Sequence, residues 1–229
     1  MKLVTKTLAA VSLAAMAVTA APAAAQVEGR MATVNAPLAV INTEALKNAY
    51  EQINTTYKAQ IDQMQALNTE SQTLLRQLDT NGDGQLDEAE QNAAQNSSQA
   101  TRLQAIDQQM APLNNQVEAA RVYAVEQIMA QYGASLEQVV TQQNIKMILS
   151  PEAVIYAPPE ANITAQVTTA LNSKVSNVGI VPPQGWQPRR NSLAMYQQIT
   201  QAINAIAAIQ AQQQAAQQQQ GNTAAPSGR

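Results

Sequence analysis

The sequence predicts a predominantly helical α+β protein, in which a small β-containing base carries a long antiparallel helical hairpin. Three observations predict it. Two long stretches, residues 44–78 and 103–139, place apolar residues at alternating steps of three and four, the period of a coiled-coil seam. Short apolar runs flank this helical region, residues 38–41 before it and 145–149 after it. Bulky core residues are scarce: the 229-residue chain has no Phe, no Cys and one Trp. Stability therefore has to come from extended helix packing, oligomerisation or both.

Residues 1–25 read as an export signal. Lys2 and Lys6 give a basic start, an apolar run extends from Leu8 to Ala21, and Ala23-Ala24-Ala25 precedes a cleavage site ahead of Gln26. The run is too short to span a bilayer comfortably, so the mature chain is expected in a bacterial periplasm. Residues 26–43 form a loose lead-in and a first strand, Leu38-Ala39-Val40-Ile41. Asn42 or Thr43 then caps the helix that follows.

Residues 44–144 are the helical hairpin. On the first arm the seam is Leu46, Tyr50, Ile53, Tyr57, Met64, Leu67, Leu74 and Leu78, with Gln60 and Ser71 as polar interruptions. Thirty-five residues make a rod of about 52 Å, which needs a partner helix to bury its stripe. The partner seam is Leu103, Ile106, Met110, Leu113 and Val117, continuing through Ile128, Tyr132, Leu136 and Val139. Pro112 interrupts it, because proline lacks the donor and clashes with the preceding turn. The chain reverses within residues 79–98.

After Asn144, residues 145–149 and 153–157 read as two strands around a Ser150-Pro151-Glu152 turn. An amphipathic helix over 163–175 completes the base at residue 175. Residues 176–190, with three prolines and Trp186, read as an extended Pro-rich linker. Residues 191–229 are Gln/Ala-rich, helical along Tyr196, Ile199, Ile203 and Ile206, and then disordered.

The one cluster with defined coordination chemistry lies inside the hairpin. Residues 79–90 read Asp-Thr-Asn-Gly-Asp-Gly-Gln-Leu-Asp-Glu-Ala-Glu, an EF-hand calcium loop by spacing. Calcium takes six to eight hard oxygens around a tight turn. Asp79, Asn81 and Asp83 supply side-chain oxygens, Gln85 its carbonyl, Asp87 an oxygen directly or through water, and Glu90 both carboxylate oxygens. Gly84 allows the sharp turn, and Leu86 is the apolar anchor. The bland alternative is a simple turn, which Asp, Asn and Gly favour anyway. A single hand implies weak affinity, about 10⁻⁴ to 10⁻³ M.

Charge sharpens this picture. Without Lys2 and Lys6, eleven basic residues face sixteen acidic ones, and five of those acids (Asp79, Asp83, Asp87, Glu88, Glu90) sit in the loop. The rest of the mature chain is neutral. No basic patch of nucleic-acid type exists. Without His or Cys, zinc sites and Ser-His-Asp or thiol catalysis are excluded, and no phosphate loop is visible. An enzyme is not expected.

The opening Leu38-Ala39-Val40-Ile41-Asn42-Thr43, the closing block Ile145 to Ala157 and the helix from Ile163 to Leu171 together resemble the OmpH/Skp family of periplasmic chaperones, over about Val34 to Val175. The resemblance implies a homotrimer with a central β-core, so that the base is a trimerisation base. It also implies helical tentacles around a cavity that holds unfolded outer-membrane proteins without ATP. Family members are often basic. This chain is acidic, which argues against membrane-surface contact. The calcium loop and the C-terminal extension are additions to the family pattern. The alternative reading is a calcium-binding periplasmic structural or adaptor protein, with the hairpin as spacer and the loop as sensor.

Overall fold

The computed structural model describes residues 29–222, with side chains to residue 217. The expected export signal and the last residues of the tail lie outside the described residues. The base begins with β1 (Arg30–Thr33) and α1 (Ala36–Ile41). The first arm is α2 (Glu44–Thr56) and α3 (Lys58–Leu78). The tip carries α4 (Glu88–Ala94), and the return arm is α5 (Ser98–Gln142). Then come β2 (Ile145–Leu149), α6 (Thr164–Lys174) and α7 (Arg190–Asn222).

The first strand is not where the apolar run suggested. Residues 38–41 are helical, inside α1. Asn35 stands in extended conformation and its side chain accepts the Leu38 N–H at 2.9 Å, while Pro37 in the first turn presets the helical φ. An Asn-x-Pro helix start overrides four apolar residues that fit either period. The strand lies earlier, at Arg30–Thr33, within the stretch expected to be loose. It pairs in parallel with β2, Met31 opposite Met147, Ala32 opposite Ile148 and Thr33 opposite Leu149. Parallel pairing needs a long crossover, and here the whole hairpin supplies it. Asn144, at φ 51°, makes the left-handed turn from α5 into β2, a conformation that Asn tolerates.

Residues 153–157 do not form the expected third strand. Pro151–Ala153 is a single 3-10 turn, and residues 154–157 pair with no strand among the described residues, the next bridge being Asn162 with Thr33. Ile155 and Tyr156 point into solvent, 106% and 86% exposed.

The base core forms where α1, α2, α6 and the lower part of α5 meet. Val40, Ile53, Val125, Ile128, Ile163 and Leu171 are fully buried there. Thr43 caps α2 through the Leu46 N–H. Thr168 on α6 donates to the Ala39 carbonyl of α1 at 3.0 Å. In the arms the seam is thin. Among the described residues α3 buries only Leu67, and α5 ahead of Pro112 buries only Ile106. The first arm is irregular at Tyr57 (φ −102°, ψ 22°), between α2 and α3, although the Tyr57 N–H still bonds the Ile53 carbonyl at 2.9 Å and its carbonyl accepts the Ile61 N–H at 3.0 Å.

The Pro-rich segment is not a free linker. Val178 and Ile180 are buried against the hairpin, and Trp186 packs edge-on to Tyr123 at 5.3 Å. This docking lets α7 lie on α1 and α5 through Tyr196 and Ile199. The Gln/Ala-rich stretch continues as helix to Asn222.

Candidate functional site: an acidic loop at the tip of a helical arm

The loop at residues 79–87 joins the C-terminus of α3 to the N-terminus of α4. Its fold follows from short side-chain-to-backbone bonds, the local alternative that Asp and Asn offer to helix. Asp79 accepts the Gly82 N–H at 2.7 Å and the Gly84 N–H at 2.8 Å. Asn81 accepts the Asp83 N–H at 2.9 Å, and Asp83 the Gln85 N–H at 2.8 Å. Gly82 and Gly84 take positive φ, 76° and 83°, where a Cβ would be strained. The first loop position therefore turns both its oxygens, and the third and fifth one each, back onto N–H groups of the loop.

Asp87 and Glu90 form a reciprocal capping box at the start of α4. The Glu90 N–H donates to Asp87 Oδ1 at 2.8 Å, and the Asp87 N–H donates to Glu90 Oε2 at 3.1 Å. Glu90 also reaches across the loop. Its Oε1 accepts the Thr80 N–H at 2.7 Å, the Thr80 hydroxyl at 2.8 Å and the Asn81 N–H at 3.0 Å. The Asn81 N–H and the Thr80 hydroxyl hold the Glu90 carboxyl below the usual carboxylate range, against the upward push of burial. Leu86 is half-buried, and Glu90 is the buried charge of the tip.

The six residues singled out from the sequence thus share one loop: Asp79, Asn81, Asp83, Gln85, Asp87 and Glu90. Their oxygens fit a hard cation in type and order. In position they do not yet converge. Among the described residues no three acidic side chains stand together as a metal-binding group, and both Glu90 oxygens are taken up by backbone N–H groups and the Thr80 hydroxyl. Holding calcium would require Glu90 to exchange those partners for the ion.

Behind the tip, the two arms are clamped by Arg102, whose Nε and Nη2 donate to Glu70 at 2.6 and 2.8 Å. This planar, two-bond pairing sets the register of the arms. No periodicity argument could have found it, since both residues read as ordinary surface charges.

At the other end, the base exposes an apolar strip. Ile155 and Tyr156 are almost fully exposed, and Met31 and Met147 are partly so. A cleft of about 230 Å³ runs beside them, lined by Met31, Leu149, Val154, Tyr156 and Pro158. Arg30 fixes the strip's edge by donating to the Gln143 side chain at 2.7 Å and to the Glu160 carbonyl. No described helix is long and apolar enough to cross a membrane.

A two-stranded parallel base with a helical hairpin as its crossover defines a predominantly helical α+β protein of the tentacle type. The sequence profile described as "Outer membrane protein (OmpH-like)" matches residues 30–171, more than half of the chain, and the chain belongs to this OmpH family. The match ends inside α6, so the Pro-rich segment and α7 lie beyond it. No curated protein matches the chain. A solved structure from Caulobacter crescentus, of a candidate outer membrane chaperone (OmpH-like), is 21% identical with a TM-score of 0.40. That match covers 67% of this chain and 89% of the other, and at that score it carries no structural argument.

Proposed function

We propose that the chain is a periplasmic, ATP-independent holdase that keeps unfolded outer-membrane proteins from aggregating in a cavity between helical arms. The observation that carries this reading is the division of labour in the molecule. The base leaves an apolar strip uncovered in its own protomer, and the arm projects from it with a seam only one side chain deep. An apolar strip of that kind on a soluble protein marks an interaction surface. A homotrimer would cover it and set three arms around one space. Many weak contacts along the arms would then hold a client without any single tight site. Release follows when the client reaches its folded state in the membrane. Family membership supports this reading, as does the export signal expected at residues 1–25. The test is co-elution. A urea-denatured outer-membrane β-barrel protein, diluted into the purified chain, should leave a sizing column as a soluble complex. A barrel found only in the pellet overturns the reading.

The tip supports a second, compatible role in calcium binding. Asp79, Asn81, Asp83, the Gln85 carbonyl, Asp87 and Glu90 would hold the ion, and its charge would offset the acidic surplus of the loop. The Asx turns at Asp79, Asn81 and Asp83 favour this reading because they already orient the first half of the loop. At tenfold excess over its dissociation constant, calcium would stabilise the bound form by only about 1.4 kcal/mol. That magnitude suits ordering of the tip and not a folding requirement. Should calcium change partner binding while no client is held, the chain is a calcium-dependent structural or adaptor protein.

A further inference from the structure

We propose that the Pro-rich segment Asn177–Arg189 is a strap that fixes the base side of a hinge in the arm, so that the C-terminal extension controls how far the outer arm swings. The hinge is visible once the two arms are aligned. The Glu70–Arg102 pair sets their register. Counting from that pair toward the base, Pro112 comes ten residues along α5 and Tyr57 thirteen residues along the first arm. The two helix irregularities therefore lie within about one turn of each other. At Pro112 the helix has no N–H to give to the Gln108 carbonyl. At Tyr57 the backbone leaves the α region. An antiparallel pair with one irregular arm is braced by its partner; a pair with both irregular at one level has a place to bend.

Packing changes at the same level. Outward of it, α3 and α5 bury Leu67 and Ile106 alone. On the base side α5 buries Val117, Ala120, Val122, Ala124, Val125 and Ile128 in succession. A thinly packed arm on a densely packed base concentrates motion at the boundary.

The strap ties the two arms together on the base side of that boundary: its α5 partners, Glu126 and Gln127, lie fourteen and fifteen residues beyond Pro112, about 21 Å along the helix, and its first-arm partner, Tyr57, is at the boundary itself. On α5, Gln127 clamps Gly179 reciprocally. Its Nε2 donates to the Gly179 carbonyl at 2.8 Å, and its Oε1 accepts the Gly179 N–H at 2.9 Å. Glu126 accepts the Trp186 indole N–H at 3.1 Å and the Arg189 N–H at 2.9 Å. On the first arm the Tyr57 hydroxyl, from the hinge residue itself, donates to the Ile180 carbonyl at 3.4 Å. Pro182, Pro183 and Pro188 stiffen the segment between these holds. The hold on α5 is made of paired bonds, and the hold on the first arm is the one bond from Tyr57. A strap that joins the hinge residue Tyr57 to the base side of α5 restricts rotation of the first arm against the base.

The chain has no Cys, so a label pair can be placed cleanly, at Gln91→Cys near the tip and Glu137→Cys on the base side of α5. Labelled chains are assembled with an excess of unlabelled ones, and pulsed EPR reads the distance distribution within one chain. Native sequence at all other positions should give a narrow distribution. Trp186→Ala with Gln127→Ala should broaden it about twofold, and adding Pro112→Ala, which restores the helix donor, should narrow it again. Hydrogen exchange over residues 177–187 reports whether the strap has let go. A released strap with an unchanged distance distribution overturns the proposal, because the strap then only stabilises the base. If the double variant fails to fold, Gln127→Ala alone is read by the same two outcomes. Any effect on client capture rests on the holdase reading. It is followed separately by light scattering, so failure of that reading leaves the distance result intact.

Discussion

Replacing Ile155 and Tyr156 by Ser should leave the protomer folded and destroy its assembly. Both side chains are almost fully exposed in the single chain, at 106% and 86%. Exposed substitutions of this kind usually change protomer stability by no more than about 0.5 kcal/mol. In a trimer that covers the strip, each side chain contributes about 1.5–3 kcal/mol of apolar burial. The pair therefore contributes about 3–6 kcal/mol per protomer, which is about two to four decades for each of the three chains that enter the association constant. Sedimentation equilibrium over a concentration series measures the association constant, and circular dichroism measures the melting of the protomer. The reasoning predicts a large shift toward monomer with little change in helicity. An unshifted association constant would refute it, and so would loss of the protomer's helical signal. In the first case the strip is not the interface; in the second these residues pack within the chain after all.

Other outcomes follow from single residues. Glu90→Gln should weaken calcium binding by calorimetry, because Glu90 supplies the closing oxygens, while sedimentation shows the assembly unchanged. Ile53→Ala empties a fully buried site in the base and should cost about 2–5 kcal/mol in urea unfolding; a loss below about 1 kcal/mol would contradict the core described here. Glu126 titrates below its usual 4.5. Burial pushes it up, but the Arg189 N–H, the Trp186 indole, the Ser192 hydroxyl and the Arg189 charge outweigh that push. A depressed carboxylate gives stability that is fully present above 4.5 and is lost as pH falls through the lower folded value. Emission from Trp186, the only tryptophan, should therefore stay flat above 4.5 and move only below it, and Glu126→Gln should abolish that step.

Much of the arm was legible in the sequence because a seam of alternating threes and fours has one physical meaning over 35 residues. Leu46, Ile53, Tyr57 and Leu67 are buried on it. The base was harder. Four apolar residues at 38–41 fit a strand or a helix, and the deciding signal was the Asn35 cap with Pro37, which lies outside the apolar run itself. The true strand, Arg30–Thr33, carries only Met31 and Ala32 as apolar residues and reads as a loop until its partner β2 is placed beside it. Residues 153–157 have strand composition and no strand partner among the described residues. A single sequence cannot distinguish that from a paired strand. The strap was missed for a different reason. Its bonds run from backbone groups of Gly179, Ile180 and Arg189 to Gln127, Tyr57 and Glu126, and backbone donors leave no mark in composition or periodicity. At the tip, the order of oxygen-bearing residues was readable, but the turning of Glu90 toward Thr80 and Asn81 was not. That orientation is set by backbone donors of the loop, which composition does not display.

Arms of this kind should keep an unfolded outer-membrane protein soluble, and light scattering after dilution of a urea-denatured outer-membrane β-barrel protein into buffer without ATP measures this. Scattering should fall as the chain is added and disappear near three chains per client. Scattering that is unaffected at that ratio, and at several times that ratio, would contradict the holdase reading.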